Sequence, residues 1–305
     1  MTGGERVYRD RASGELRREV VHAEAFLDWL YNARAGRAVE WLLARSPLPS
    51  RLYGWLQGRR ASRRRIRPFV ARMGIDMSEC PRPVESFSSF AEFFTRTIDL
   101  ARRPLAADER ACLCPVDGKV LVRERLAPFA PIAVKRATLT LSSLLDDAAL
   151  ARSYEGGSLA VCRLGLADYH HVHFPGAGTP GRPVHVRGRY HAGGPYARGR
   201  LVPVFAENVR VRTPFDSDRF GRVQIVEVGA LTVGSVRQAF EPGVRVARGA
   251  HKGWFEIGGS TVVLVFPPGA IVFDADLVSW SARGVETAVR VGEALGLAPR
   301  ERPGR

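Results

Sequence analysis

Asp117, the histidines 170, 171 and 173, and Ser260 are the side chains whose types could do chemistry together. Ser260 closes a Gly258-Gly259-Ser260-Thr261 turn that runs straight into Val262-Val263-Leu264-Val265-Phe266, an apolar β-branched run that reads as a buried strand. Two glycines remove side-chain bulk ahead of the hydroxyl, which leaves the Gly259 carbonyl open to attack by the Ser260 oxygen. Taken alone, Gly-Gly-Ser is equally an ordinary turn that starts a strand. Ala167-Asp168-Tyr169-His170-His171-Val172-His173-Phe174-Pro175 puts three of the chain's seven histidines within four positions. On an extended backbone His171 and His173 share one face and His170 points to the other, whereas in a turn His170 and His173 converge. Asp117 sits in Pro115-Val116-Asp117-Gly118-Lys119-Val120, a turn that opens another apolar strand. A carboxylate that orients an imidazole, and an imidazole that takes a serine proton, make an activated hydroxyl nucleophile. Separately, Asp117 is a turn aspartate, and the histidines fit a metal site or a satisfied strand edge.

The elements that must position these groups change character along the chain. Residues 1 to about 20 are charged and read as poorly ordered. From about 20 to 98 the pattern is helical, interrupted by Pro47, Pro49 and Pro81. Beyond about 110, short β-branched segments alternate with Gly/Pro turns: 119–123, 158–163, 183–190, 209–213, 223–228, 230–238 and 261–266. A helix is expected over 141–152 and another over 284–295. The fold class is therefore α+β: N-terminal amphipathic helices (1–98) followed by a largely antiparallel, β-rich catalytic core (99–305).

Composition bounds the function classes. A chain of 305 residues that is 45% hydrophobic buries a substantial core. Cys80, Cys112, Cys114 and Cys162 show neither metal-finger spacing nor a disulfide framework, which points to a reducing compartment. Cys112 and Cys114 read as small buried apolar residues. The N-terminus lacks the apolar core of a signal peptide, and no stretch approaches the roughly 18 apolar residues of a spanning helix. The net charge of +15 is uneven: residues 1–68 hold 15 Arg against 7 acidic residues. The same region carries Trp29, Trp41 and Trp55, with Leu52, Trp55 and Leu56 at helical spacing before Arg59, Arg60, Arg63, Arg64, Arg65 and Arg67. Aromatic and aliphatic faces beside a dense Arg face fit helices lying in the interface of an anionic bilayer. Packing on a core, or a nucleic-acid surface, are the competing readings.

In the order they occur, the motifs resemble those of the phosphatidylserine decarboxylase family, self-processing enzymes that carry a pyruvoyl group. The resemblance runs from about Phe87 to about Phe273. It rests on Phe93-Phe94-Thr95-Arg96, Arg103-Pro104-Leu105, the Pro-Val-Asp-Gly turn, Val134-Lys135 with Leu141-Ser142-Ser143-Leu144-Leu145, and Asp168-Tyr169-His170-His171-Val172-His173 with Pro175. Phe205-Ala206-Glu207-Asn208-Val209-Arg210-Val211, the segment Val228 to Val236 and Gly-Gly-Ser-Thr complete it.

The resemblance implies a mechanism. His173, oriented by Asp117, deprotonates Ser260, whose oxygen attacks the Gly259 carbonyl; elimination and hydrolysis then leave a pyruvoyl group at position 260. Cleavage between Gly259 and Ser260 yields a large chain, 1–259, and a small chain of 46 residues, 260–305. The pyruvoyl group replaces pyridoxal as electron sink, and the only lysines, Lys119, Lys135 and Lys252, show no convincing pyridoxal site. His170 matches the histidine assigned to decarboxylation, as proton donor or headgroup contact, while His171 fills a spacer position. Asn208 and Arg210 are either structural or phosphate-binding.

The implied reaction converts phosphatidylserine to phosphatidylethanolamine and CO2. With a lipid substrate, the membrane reading of the N-terminal helices prevails over nucleic acid, and the protein is expected on the cytoplasmic face of the cell membrane. The family also makes a homo-oligomer of cleaved protomers plausible. Departures from the family pattern are the Gly-Gly before Ser260, found in one branch, and Val116 in place of the commoner alanine. Val209 stands where an acidic residue is usual, and His251 where the family tends to carry glutamate. A metal-dependent hydrolase built on the His170/His173 cluster and a noncatalytic basic binding module are the alternatives from other classes.

Overall fold

The computed structural model describes residues 7–19, 24–127, 132–134, 137–191, 204–229, 236–257 and 260–300. It is an α+β fold around a ten-stranded sheet. From one edge the strands run Val184–Val186, Arg210–Ser217, Gly221–Val228, Ser260–Phe266, Ser158–Leu164, Gly118–Arg123, Glu286–Val289, Val7–Asp10 and Leu16–Arg18. Gly178–Pro180 adds to the outer end of the Arg210–Ser217 strand. The neighbours are antiparallel except Val7–Asp10, which lies parallel to Glu286–Val289.

Ser260–Phe266 is central, and all seven of its residues are buried. Its lack of alternation follows from cover on both faces. Val262, Leu264 and Phe266 join one core with Val172, Phe174, Phe215 and Phe255, while Val263 and Val265 join another with Leu144, Leu145 and Tyr154. A three-stranded sheet, Val236–Gln238, His251–Phe255 and His171–His173, carries the histidines. Its Val172 and Phe255 belong to the same core as Val262.

Helices Glu24–Asn32, Arg34–Arg45 and Leu48–Gly58 follow the first two strands. Pro49 does not break the pattern but falls in the first turn of the third helix, where its missing N–H costs nothing. Then Ile66–Met73 and Phe90–Phe94 bury an aromatic cluster of Phe69, Phe87, Phe90, Phe93 and Phe94, which also takes in Ile257.

Three local expectations are corrected. Residues 7–10 and 16–18 form a hairpin on the sheet edge rather than a disordered arm, anchored where Arg11 donates to Asp274 and Asp276. The span 141–152 is two short helices, Leu141–Leu145 and Ala148–Arg152, because Asp146 takes a left-handed conformation and Asp147 caps the second helix. The span 284–295 is not helical: Glu286–Val289 and part of Ala294–Leu297 are strands, and the helix lies earlier, at Ala275–Ala282. Val285, Thr287 and Val289 alternate in the way a strand requires, and Gly284 with φ +73° ends the helix. All four cysteines are free, with Cys112, Cys114 and Cys162 buried.

Candidate active site

Antiparallel pairing brings the sequence-distant groups to one end of the sheet. Ser260 opposes Leu164 and Lys119 opposes Arg163. The start of the Ser260 strand, the end of the Ser158–Leu164 strand and the start of the Gly118–Arg123 strand therefore lie side by side. Asp117 immediately precedes the last of these. From Leu164 a short turn leads to His170, and the His171–His173 strand returns to the Asp117 turn, where the His173 N–H donates to Pro115 O at 2.8 Å.

Asp117 is fixed by an ion triad. Arg103 Nη2 donates to Asp117 Oδ2 at 2.8 Å, Arg103 Nε lies 3.1 Å from both carboxylate oxygens, and the Val291 N–H donates to Oδ1 at 2.8 Å. Arg103 also holds Glu79 at 2.7 and 3.0 Å. Burial by itself would lower the Arg103 pKa, but its bonds to the two carboxylates outweigh that and the net shift is upward. Arg103 in turn holds the Glu79 carboxyl below its usual range.

His173 is buried, and its Nδ1 lies 2.9 Å from Gly249 O. A carbonyl only accepts, so Nδ1 carries the proton and Nε2 of the neutral ring is the basic nitrogen. Burial lowers its pKa and His251 adds to that effect, while the Gly249 carbonyl and Asp117 oppose it. The orienting acceptor is thus the Gly249 backbone. Asp117 acts on His173 through its charge, since its own hydrogen bonds go to Arg103 and Val291.

His170 is fully buried, with its ring centroid 4.0 Å from that of Phe94 and Nδ1 2.8 Å from Asp168 O. Its Nε2 has no partner among the described residues. Burial first and the Arg96 charge second push its pKa down to about 3, so it is neutral. Arg96 is held by Ala167 O at 2.7 Å. Ser260 is also buried, and among the described residues its hydroxyl has no hydrogen-bond partner. The geometry therefore sets His170 and His173 apart from the start, one facing the aromatic cluster and the other the Tyr169 side. Gly259, the other half of the expected scissile bond, and Gly258 lie outside the described residues.

Several residues near the site carry no signal that sequence reading picked up. His171 is no free spacer: its Nε2 donates to Thr95 O at 3.0 Å, and its Nδ1 is 2.9 Å from His251 Nε2. Burial is the main reason its pKa falls to about 4. Arg103, Phe94, Thr95 and Gly249 all sat in quoted or neighbouring motifs, yet only tertiary contact shows what each one holds. Asn208 and Arg210 are structural. Asn208 bonds the backbone of His191 and Gly229, and Arg210 donates to the carbonyls of Ser143, Leu144, Ala206 and Asn208. Among the described residues no group of three or more His, Cys, Asp or Glu is arranged to hold a metal ion.

On this α+β frame, a buried serine with no hydrogen-bond partner among the described residues heads a central strand, at the sheet end where His173 and the anchored Asp117 also lie. A model of the family described as phosphatidylserine decarboxylase matches residues 90–297. The chain is 40% identical to the phosphatidylserine decarboxylase proenzyme of Chlamydia trachomatis serovar D, over 97% of this chain and 98% of that one. It is 42% identical to the proenzyme of Chlamydia muridarum over the same shares, and 42% identical to that of Chlamydia felis over 95% and 97%. The chain belongs to the phosphatidylserine decarboxylase family.

Proposed function

We propose that this protein makes its own pyruvoyl group by cleavage at Gly259–Ser260 and then decarboxylates phosphatidylserine to phosphatidylethanolamine. The observation that carries the reading is Ser260 itself, a buried hydroxyl without a partner among the described residues, at the first position of a fully buried central strand. The relatives' shared name, proenzyme, agrees with a precursor that is processed.

The processing step balances from the chain's own atoms plus one water. His173 Nε2 takes the Ser260 hydroxyl proton, and Oγ attacks the Gly259 carbonyl. The Gly259–Ser260 C–N bond breaks as the ester forms, with the proton passing to the released amine. Loss of the Ser260 α-proton expels the Gly259 carboxylate and leaves dehydroalanine. Addition of water and departure of ammonia give the pyruvoyl group. Asp117 favours the protonated His173 by its charge.

The residues at the site fit such a group, because position 260 is buried and its hydroxyl has no hydrogen-bond partner among the described residues. The pyruvoyl group supplies the electron sink for the bond to the departing carboxylate. His170 is neutral and buried against Phe94, in surroundings that exclude water. It contributes a hydrogen-bonding nitrogen toward the headgroup or its protonation.

The same reading places the protein peripherally on an anionic membrane, on the cytoplasmic face. Phe26, Trp29, Val39, Trp41, Leu42, Leu48, Leu52, Trp55 and Leu56 are exposed on the first three helices. The Arg45 and Arg59 guanidinium groups lie 4.0 and 3.9 Å over the Trp41 and Trp55 rings. Such an apolar face rimmed by Arg suits a headgroup interface. Among the described residues no helix is long and apolar enough to cross a membrane. A homo-oligomer of cleaved protomers belongs to the same reading.

Intact-mass analysis of fresh wild type beside Ser260→Ala is the test. Two chains divided at Gly259/Ser260, the smaller with a pyruvoyl mass, and an intact mutant are expected. A single full-length wild-type chain would remove the electron sink and favour a noncatalytic binding module.

A further inference from the structure

Among the described residues, Tyr169 meets the basic nitrogen of His173. Its hydroxyl lies 3.3 Å from His173 Nε2, and Tyr169 is buried. The Gly249 carbonyl commits the Nδ1 proton of the neutral ring, so Nε2 has only a lone pair to offer and the phenol must be the donor. The phenol ring is itself immobilised: it stacks on His171 at 4.7 Å with 6° between planes, and packs with Ile98 and Val291. His171 is tied to Thr95 O and His251, and Val291 is the residue whose N–H anchors Asp117. Tyr169 therefore stands between the two halves of the processing machinery, sharing a cluster with the Asp117 anchor and bonded to the His173 ring.

We propose that Tyr169 is a positioning residue that holds His173 in reserve: its hydroxyl donates to the single Nε2 lone pair, keeps the imidazole in the Nδ1–H tautomer, and must give up that lone pair before Nε2 takes the Ser260 proton. This rests on the proposed role of His173 at Ser260. The phenol keeps its proton for the task. Burial raises its pKa and the nearby Asp117 charge raises it further, against a smaller opposing effect of Arg103. The charged and titratable groups around His173 are Asp117 and Arg103 on the turn side, His251 on the paired strand, and His171 two residues back on its own strand. All of them remain when the hydroxyl alone is removed.

A donor to the neutral ring's lone pair stabilises the unprotonated form and lowers the His173 pKa. Tyr169→Phe keeps the ring stack and removes the donor. At pH above the His173 pKa the precursor should then cleave roughly three- to tenfold faster, the contribution of about one hydrogen bond no longer competing for Nε2, and the midpoint of its pH–cleavage profile should move up. A merely structural role would slow cleavage without moving that midpoint.

The second readout needs no cleavage. In 15N-labelled Ser260→Ala precursor, the His173 imidazole shifts should show a protonated Nδ1 and a hydrogen-bonded acceptor Nε2, and adding Tyr169→Phe should remove the acceptor signature. An unchanged midpoint, or a His173 ring that is Nε2-protonated in Ser260→Ala, overturns the inference, the latter even if Tyr169→Phe does not fold. Failure of wild type to cleave would instead sink the proposed function, and the imidazole measurement would still decide on Tyr169.

Discussion

At the scale of single residues, environment sorts chemically similar groups into different tasks. His170 and His173 belong to one short motif, yet His170 faces Phe94 and Arg96 while His173 faces Tyr169 and a backbone carbonyl. We therefore expect His170→Asn precursor to cleave at Gly259/Ser260 but to lose most decarboxylation, and His173→Asn to remain a single chain. Gel mobility and CO2 release from labelled phosphatidylserine separate the two outcomes.

Protonation of these histidines also links to stability. His170 and His171 fall to about 3 and about 4 when folded, against about 6.5 unfolded. Below pH 6.5 the unfolded chain binds more protons, so stability is fully present above that pH and is lost as pH falls toward 4, by about 1.4 kcal/mol per unit for each ring. Thermal melts of Ser260→Ala precursor between pH 7.5 and 4.5 should show a falling Tm; a flat profile would contradict neutral burial.

At the scale of elements, the sheet holds the site and should outlast the cut. Ser260–Phe266 hydrogen-bonds to Gly221–Val228 on one side and Ser158–Leu164 on the other, and both of those strands belong to the expected large chain. The two pieces should co-elute under native conditions and separate only in denaturant.

The segment before position 99 also serves the site, because Glu79 holds the Arg103 that clamps Asp117, and Phe94 packs on His170. Removing Arg103 leaves two carboxylates facing each other without their cation, a change that costs about 3–5 kcal/mol when a buried pair is broken. Arg103→Ala is therefore expected to lower the unfolding midpoint and to slow or stop cleavage. A variant as stable as wild type would show that the triad is not a support.

At the scale of the molecule, the charge and the exposed apolar side chains sit together on the N-terminal helices. Each basic residue near an anionic surface contributes about 1 kcal/mol, an attraction that salt screens. Binding to phosphatidylglycerol-rich vesicles should weaken as salt rises, and Trp41→Ser with Leu42→Ser should reduce it at every salt concentration. Both residues are exposed, so the pair should leave folding intact. Equal sedimentation with neutral and anionic vesicles would count against a surface role for these helices.

The sequence by itself determined the family and the α+β class and named the candidate site residues, because short motifs such as Gly-Gly-Ser-Thr and Asp-Tyr-His-His-Val-His are local statements about residue type. Strands with a plain β-branched pattern were legible for the same reason, as at 158–164 and 260–266. Where local pattern is ambiguous it misled: 284–295 reads as either element until Glu286–Val289 pairs with Gly118–Arg123 and Val7–Asp10. What orients His173 was not legible at all. Its acceptor is a backbone carbonyl 76 residues away, which has no side-chain signature. The tertiary structure alone decided that Asp117 answers to Arg103 and Val291, because hydrogen-bond partners are chosen by proximity after the strands have paired, and that proximity is written nowhere along the chain.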